Sequence, residues 1–320
     1  MSTTTPAVHL PASARIHSYL RTKDLSPTAT LEVRELARSI KAMHRRGENP
    51  PLLAGKTLAM IFQKPSLRTR VSFEAGMTQL GGHAIYLGPD DIALGKRETT
   101  EDIAIVLSGM ADLVMARVFG HEIVVDLAKY ATVPVINGLS DREHPCQCLA
   151  DMLTVLERKE RLAGLKLVFV GDGNNVANSL LYGGALTGMS VTVACPPGYE
   201  PPADLLADAR GVAKASGATL EVTADLEGAC RGADVLYTDV WTSMGQEKEA
   251  QARRDAFGRF QVNAALMALA KSDAIVLHCL PAHYGEEIDY AVSRTPNSAI
   301  FQQAENRLHA QKALMVAMAG

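Results

Sequence analysis

Several short stretches carry residues whose types and spacing could do chemistry. Ser66-Leu67-Arg68-Thr69-Arg70 places two arginines in the first turn of a helical pattern that opens just after an apolar run. Ser66 is a favoured N-cap type, and the first amides of a helix are unpaired donors. Cations are disfavoured at that end of a helix. Arginines there point to a bound anion, a phosphate held by the turn amides and by a charge-assisted contact from Arg68. Arg70 is read as an inward-facing structural residue. Arg117 closes Met115-Ala-Arg117, and His144-Pro-Cys-Gln147 opens another helical pattern. Arg117, His144 and Thr69 are donors suited to a carbonyl oxygen that gains negative charge, each typically worth roughly 3 kcal/mol. A lone His before Pro is otherwise a cap or a packing residue.

A second group lies further along the chain. Gly171-Asp-Gly-Asn174-Asn175 follows an apolar run, so a dinucleotide site has to be weighed. The third glycine of that fingerprint is replaced by Val176, and the next strand ends in Ala194-Cys-Pro-Pro without an acidic residue for a ribose. Asn174 and Asn175 instead offer neutral amides to an amino-acid carboxylate. Asp239, in Tyr237-Thr-Asp239-Val-Trp241-Thr-Ser243-Met244-Gly245, sits where it can pair with an α-ammonium group, although an N-cap is the default for a single aspartate. Trp241, the sole tryptophan, is more often packing than recognition. Cys279, in His278-Cys279-Leu280-Pro-Ala-His283, is either a small buried apolar residue or a thiol that relays a proton beside an amine.

Short β-rich runs must position these residues. From position 56 the chain alternates strands at 56–62, 83–87, 112–117 and 133–137 with helices at 66–80, 98–110 and from His121. After a helix over 144–159 the pattern restarts, with strands at 165–171, 190–194, 220–222, 235–240 and 274–280. A last helix at 304–319 has Met315 and Met318 at core-like spacing. The pattern predicts an α/β fold of two domains, each a parallel sheet flanked by helices, over 1–155 and 156–320. Ligands in such folds lie beyond the carboxyl ends of the strands, which is where every stretch singled out above falls.

Composition narrows the function. A length of 320 residues suits two domains. A net charge of −3 gives no basic face for nucleic acid. The five cysteines form no Cys-x-x-Cys pair, which fits a reducing compartment and no metal ribbon. No apolar run spans a bilayer. The segment Met1–Pro11 is Thr- and Ala-rich without a hydrophobic signal core, so cytoplasmic is preferred to a short transit peptide.

Ser-x-Arg-Thr-Arg resembles the carbamoyl phosphate signature of the aspartate/ornithine carbamoyltransferase family, with Leu67 where many members carry Thr. His-Pro-x-Gln is similar to a second signature of that family. Asp-x-x-x-Ser-Met-Gly and His-Cys-Leu-Pro resemble its ornithine-binding signatures, and Ala304-Glu-Asn-Arg307-Leu-His309 its closing motif. The resemblance implies that Ser66, Leu67, Arg68, Thr69, Arg117, His144, Gln147 and Arg307 hold carbamoyl phosphate. It also implies that Asn175, Asp239, Ser243, Met244, Cys279 and Leu280 hold L-ornithine. Arg68, Arg117, His144 and Cys279 would carry transfer of the carbamoyl group to the δ-amine, with no covalent intermediate, cofactor or metal. It further implies a homotrimer and a C-terminal helix, about 304–320, that returns to the first domain. An aspartate acceptor would call for cations, yet residues 235–247 contain no Lys or Arg. Ala93 stands where the family often has a Gln reaching the neighbouring subunit's carbamoyl phosphate, with Lys96 or Arg97 as substitutes.

Overall fold

A computed structural model describes residues 16–94, 97–243 and 245–320. The segment Met1–Pro11, Lys96 and Met244 therefore lie outside the described residues. The chain forms two compact units. One holds the described residues up to Leu153 together with Asn306–Gly320, and the other holds Thr154–Glu305.

The first unit contains β1 (Ser18–Tyr19), α1 (Pro27–Arg45), β2 (Thr57–Phe62), α2 (Leu67–Gln79), β3 (His83–Leu87), α3 (Pro89–Ile92), α4 (Thr100–Ser108), β4 (Leu113–Arg117), α5 (His121–Tyr130), β5 (Val135–Leu139) and the start of α6 (Pro145–Lys159). Its strands lie in the order β1-β5-β4-β2-β3, every pair parallel. Strands buried on both faces read as continuous apolar runs, and alternate residues separate into two cores. Leu58, Met60 and Phe62 of β2 join Phe73, Met77, Leu153, Leu314 and Met315 on one side. Ala59 and Ile61 join Ile103, Val124 and Leu127 on the other. Helix α1 precedes the alternation seen in the sequence. Ser26 caps it by accepting from the Ala29 amide, and Val33, Leu36, Ala37, Ile40 and Met43 form its buried stripe.

The second unit contains β6 (Lys166–Val170), α7 (Asn175–Thr187), β7 (Ser190–Ala194), α8 (Ala203–Ala213), β8 (Leu220–Thr223), α9 (Leu226–Cys230), β9 (Val235–Thr238), α10 (Ala250–Phe257), α11 (Ala264–Met267), β10 (Ile275–His278) and the start of α12 (Ile300–Ala319). Its sheet, again all parallel, has the order β10-β9-β6-β7-β8. Its core gathers Val168, Val170, Leu236 and Val276 with Trp241, Phe257 and Ile300.

Helix α12 ends in the first unit, where Ala313, Leu314, Met315 and Val316 are buried and Met318 packs at the edge. Gly76 permits that approach. A Cβ there would stand 3.2 Å from Met315 Cε and 3.3 Å from Lys312 Cγ.

Candidate active site

In the first unit, register sets the floor of the site. Phe62 of β2 pairs with Arg117 of β4, so the two strands end side by side. The Gln63 amide donates to the Arg117 carbonyl, and Gln63 Oε1 accepts from the Phe119 amide. Ser66 caps α2, accepting from the Thr69 amide at 3.2 Å. Thr69 is fully buried and Leu67 largely exposed, so a ligand at this turn meets backbone at position 67. Arg70 does not face inward as expected. It is exposed, paired with Glu74 at 3.1 Å and lying 4.0 Å over the Tyr86 ring, because three residues on from exposed Leu67 it falls on the same outer face of α2.

Arg307 reaches this floor from α12. Its Nη1 donates to Gln147 Oε1 at 2.7 Å, Nη2 to Thr69 Oγ1 at 3.3 Å and Nε to Gln311 Oε1 at 3.0 Å. Gln147 in turn donates to Asp151 at 2.8 Å, which orients its amide. His144 stands at the start of α6, buried, and its pKa is held well below the usual imidazole value. Burial is the main cause, and the guanidinium groups of Arg307, Arg117 and Arg68 add to it. The structure thus gathers Arg68, Arg117, His144 and Arg307 around one point, with Thr69 and Gln147 bonded to Arg307.

Two residues that sequence reasoning passed over support this cluster. Glu143, fully buried, accepts from Arg21 Nε at 2.9 Å and from the Thr22 amide at 2.8 Å, fixing the turn before His144. Lys64 is buried with its ammonium 4.4 Å from the Phe119 ring centre. Burial, and then Arg117, lower its pKa. Cys146 is buried, donates to the Asn137 carbonyl and has its thiol pushed up to about 12 by burial, which suits no nucleophile.

In the second unit, Val170, Thr238 and His278 stand in register, so the turns after β6, β9 and β10 share one edge. Asn174 caps α7, its Oδ1 accepting from the Val176 and Ala177 amides. Its Nδ2 donates to Asp239 Oδ2 at 2.8 Å. Asp239 Oδ1 accepts from the Val240 amide at 2.8 Å and from the Cys279 thiol at 2.9 Å. Asn174 thus bonds Asp239, and Asn175 opens the helix beside it. The close turn depends on Gly173, where a Cβ would fall on the Pro201 nitrogen and the Glu200 carbonyl carbon.

His278 Nε2 lies 3.0 Å from Glu287 Oε1, and Nδ1 accepts from the Leu280 amide at 2.8 Å. That amide fixes the ring proton on Nε2. Ligand atoms of Asp239, His278 and Cys279 lie within 4.8 Å of one another, but both nitrogens of His278 are engaged, which makes it a poor metal ligand. Leu280 adopts φ +59° before a cis bond to Pro281, a backbone state that is uncommon for leucine and clusters at functional sites. The Ser243 amide donates to Gln246 Oε1 at 3.0 Å. Trp241 is buried and stacked on Phe257, a packing residue.

Arg253 was invisible to the sequence reading. It is buried on α10 and bonds Asp172 Oδ2 at 2.8 Å, the Trp241 carbonyl at 3.0 Å and Glu249 Oε2 at 3.0 Å. Burial raises the pKa of Asp172 and Arg253 opposes that, while Asp239 and Glu249 add to the rise. Asp172 could have been found, since it lies in a turn after a strand. Arg253 carries no local signal. Near the position expected for a Gln, Ala93 has φ 42° at the end of α3, and Arg97 is exposed and pairs with Glu98.

The first unit carries an arginine-lined helix N-terminus suited to an anion, and the second, by itself, a buried carboxylate bonded to a thiol. The chain belongs to the aspartate/ornithine carbamoyltransferase family: the carbamoyl-P binding domain matches residues 17–157 and the Asp/Orn binding domain residues 163–318. Among similar curated proteins is the ornithine carbamoyltransferase of Thermococcus kodakarensis, 56% identical over 89% of this chain and 90% of its own. That of Anoxybacillus flavithermus is 53% identical over 94% and 96%. The solved ornithine carbamoyltransferase of Pyrococcus furiosus superposes with a TM-score of 0.94 at 51% identity, covering 97% of this chain and 99% of that one.

Proposed function

We propose that this carbamoyltransferase moves the carbamoyl group of carbamoyl phosphate onto the δ-amine of L-ornithine, giving L-citrulline and phosphate. The observation that carries the acceptor half is Asp239. It is buried and bonded to Asn174, the Val240 amide and the Cys279 thiol, with no Lys or Arg in contact among the described residues. Such a carboxylate suits the α-ammonium of an amino acid, and Asn175, Ser243, Met244 and Leu280 complete that end.

In the donor half, Ser66, Leu67, Arg68 and Thr69 take the phosphate through turn amides and the Arg68 guanidinium. Arg117, His144 and Thr69 face the carbonyl oxygen, and Gln147 and Arg307 face the carbamoyl amide and phosphate. A neutral His144 can donate one hydrogen bond without adding a fourth positive charge. Phosphate is a sufficient leaving group, so direct attack by the amine needs no covalent intermediate. An alkyl amine with pKa near ~10.4 is neutral in only about one molecule in ~2,500 at pH 7. In this reading the Cys279 thiol, which donates to Asp239, passes its proton to that carboxylate and takes in its place the proton that the amine loses.

The first unit binds carbamoyl phosphate and the second the amino acid. We assign a homotrimer, supported by exposed apolar side chains in the first unit, among them Leu67, Val71, Ile105, Val106 and Met110. The five cysteines are free and no helix among the described residues is long and apolar enough to cross a membrane, which supports a cytoplasmic site of action.

The test is citrulline formation, with aspartate, putrescine and N-acetylornithine as parallel acceptors. Turnover with ornithine above the others is expected. A preference for another acceptor would overturn the assignment of Asp239, and no turnover from folded protein would overturn the enzyme reading.

A further inference from the structure

We infer that Arg253, acting through Asp172, is a positioning residue of the acceptor cluster: it sets the loop that carries Ser243 and leaves Asp239 as the one carboxylate open to the substrate ammonium. The inference rests on the ornithine reading above and goes beyond it by naming what shapes specificity. One guanidinium holds three segments together. Nη1 bonds Asp172, in the turn two residues before Asn174, and also the Trp241 carbonyl at the start of the loop. Nε bonds Glu249 where that loop enters α10. Both ends of the loop are therefore fixed to the turn whose Asn174 bonds Asp239. Tyr199 closes the remaining side, 5.2 Å from the guanidinium carbon.

Charge gives the arrangement its second consequence. Asp239 lies close enough for its charge to raise the pKa of Asp172. Arg253 is bonded to Asp172 and Glu249, so Asp239 is the carboxylate of the cluster that has no cation bonded to it among the described residues. Removing the guanidinium would leave a second buried carboxylate without its counter-ion. The cluster would then favour a diamine over an α-amino acid, whose own carboxylate it would repel.

Steady-state kinetics of Arg253→Gln, Arg253→Lys and the double variant Arg253→Gln with Asp172→Asn test this, using ornithine and putrescine as acceptors. Arg253→Gln is expected to raise the KM for ornithine about ten-fold, the scale of one lost charge-assisted bond, with the KM for carbamoyl phosphate unchanged within about two-fold. The ratio of kcat/KM for putrescine over ornithine should rise about ten-fold by the same reasoning. Arg253→Lys should fall between, and the double variant should bring the ratio back. Equal losses with both acceptors, or an equal rise in the KM for carbamoyl phosphate, would overturn the inference. If Arg253→Gln does not fold, Glu249→Gln severs one arm at an exposed carboxylate; a rise of about three-fold in the ornithine KM is expected, and none would count against it. Failure of the ornithine reading itself shows in the unaltered chain, as turnover of a different acceptor.

Discussion

His144 illustrates how neighbours decide what a side chain can do. Burial and three guanidinium groups keep its imidazole unprotonated well below the usual value. Only the substrate amine should then govern the acid limb. We expect kcat/KM for ornithine to rise steadily from about pH 6 to 9, with no inflection near ~6.5 from this residue; a pH profile checks it. The same shift has a cost in stability. In the unfolded chain His144 takes up a proton below about pH 6.5 and in the folded chain it does not, so its contribution turns unfavourable as pH falls through that value. Asp239 gives the second expectation at this scale. Asp239→Asn keeps the shape and loses the charge, so the KM for ornithine should rise by roughly 10²-fold, about 3 kcal/mol, while that for carbamoyl phosphate holds. Separate substrate titrations distinguish the two.

Helix α12 carries a buried lysine, Lys312, whose pKa falls to about 8 through burial and whose Nζ donates to Gln79 at 2.7 Å. A lysine depressed in the folded state penalises folding fully below that value, and the penalty fades as pH rises from there toward about 10.5. Lys312→Met should therefore stabilise the protein by roughly 1–3 kcal/mol near neutral pH and flatten that rise, as read by denaturant unfolding at several pH values. Gly173→Ala should act oppositely, forcing the turn off Pro201 at a cost of about 2 kcal/mol or more, with a weakened ornithine KM. Elements of this kind differ in how well the sequence shows them. Strands β4 and β7 and the restart after α6 are legible because doubly buried parallel strands leave uninterrupted apolar runs. The cap Ser66 is legible because capping is local, whereas Asn174, read from the sequence as an amide for a carboxylate, shows its cap of α7 only in the structure. Strand β1 has only two residues, and its pairing with β5 is set more than a hundred positions away. The bond from Arg253 to Asp172 spans 81 positions, so no window around either residue contains it.

For the whole molecule, the apolar side chains left exposed in the first unit should be covered by further copies of the chain. Sedimentation of the intact protein should give the mass of three chains, and Ile105→Glu with Met110→Glu should lower it, since burying two new charges is unfavourable. Arg307 adds a consequence for how the molecule comes into being. Its guanidinium ties Thr69 to Gln147, residues made long before it, and Leu314 and Met315 fill the core beneath α2. During translation the ribosome delivers the phosphate turn early, but the clasp that completes it arrives about 160 codons after Gln147. A nascent chain stalled before that point has the motif and not the site. Capacity to hold the proposed donor should thus appear only once Arg307 has been made, so a product cut short before it should carry the phosphate turn and fail to bind.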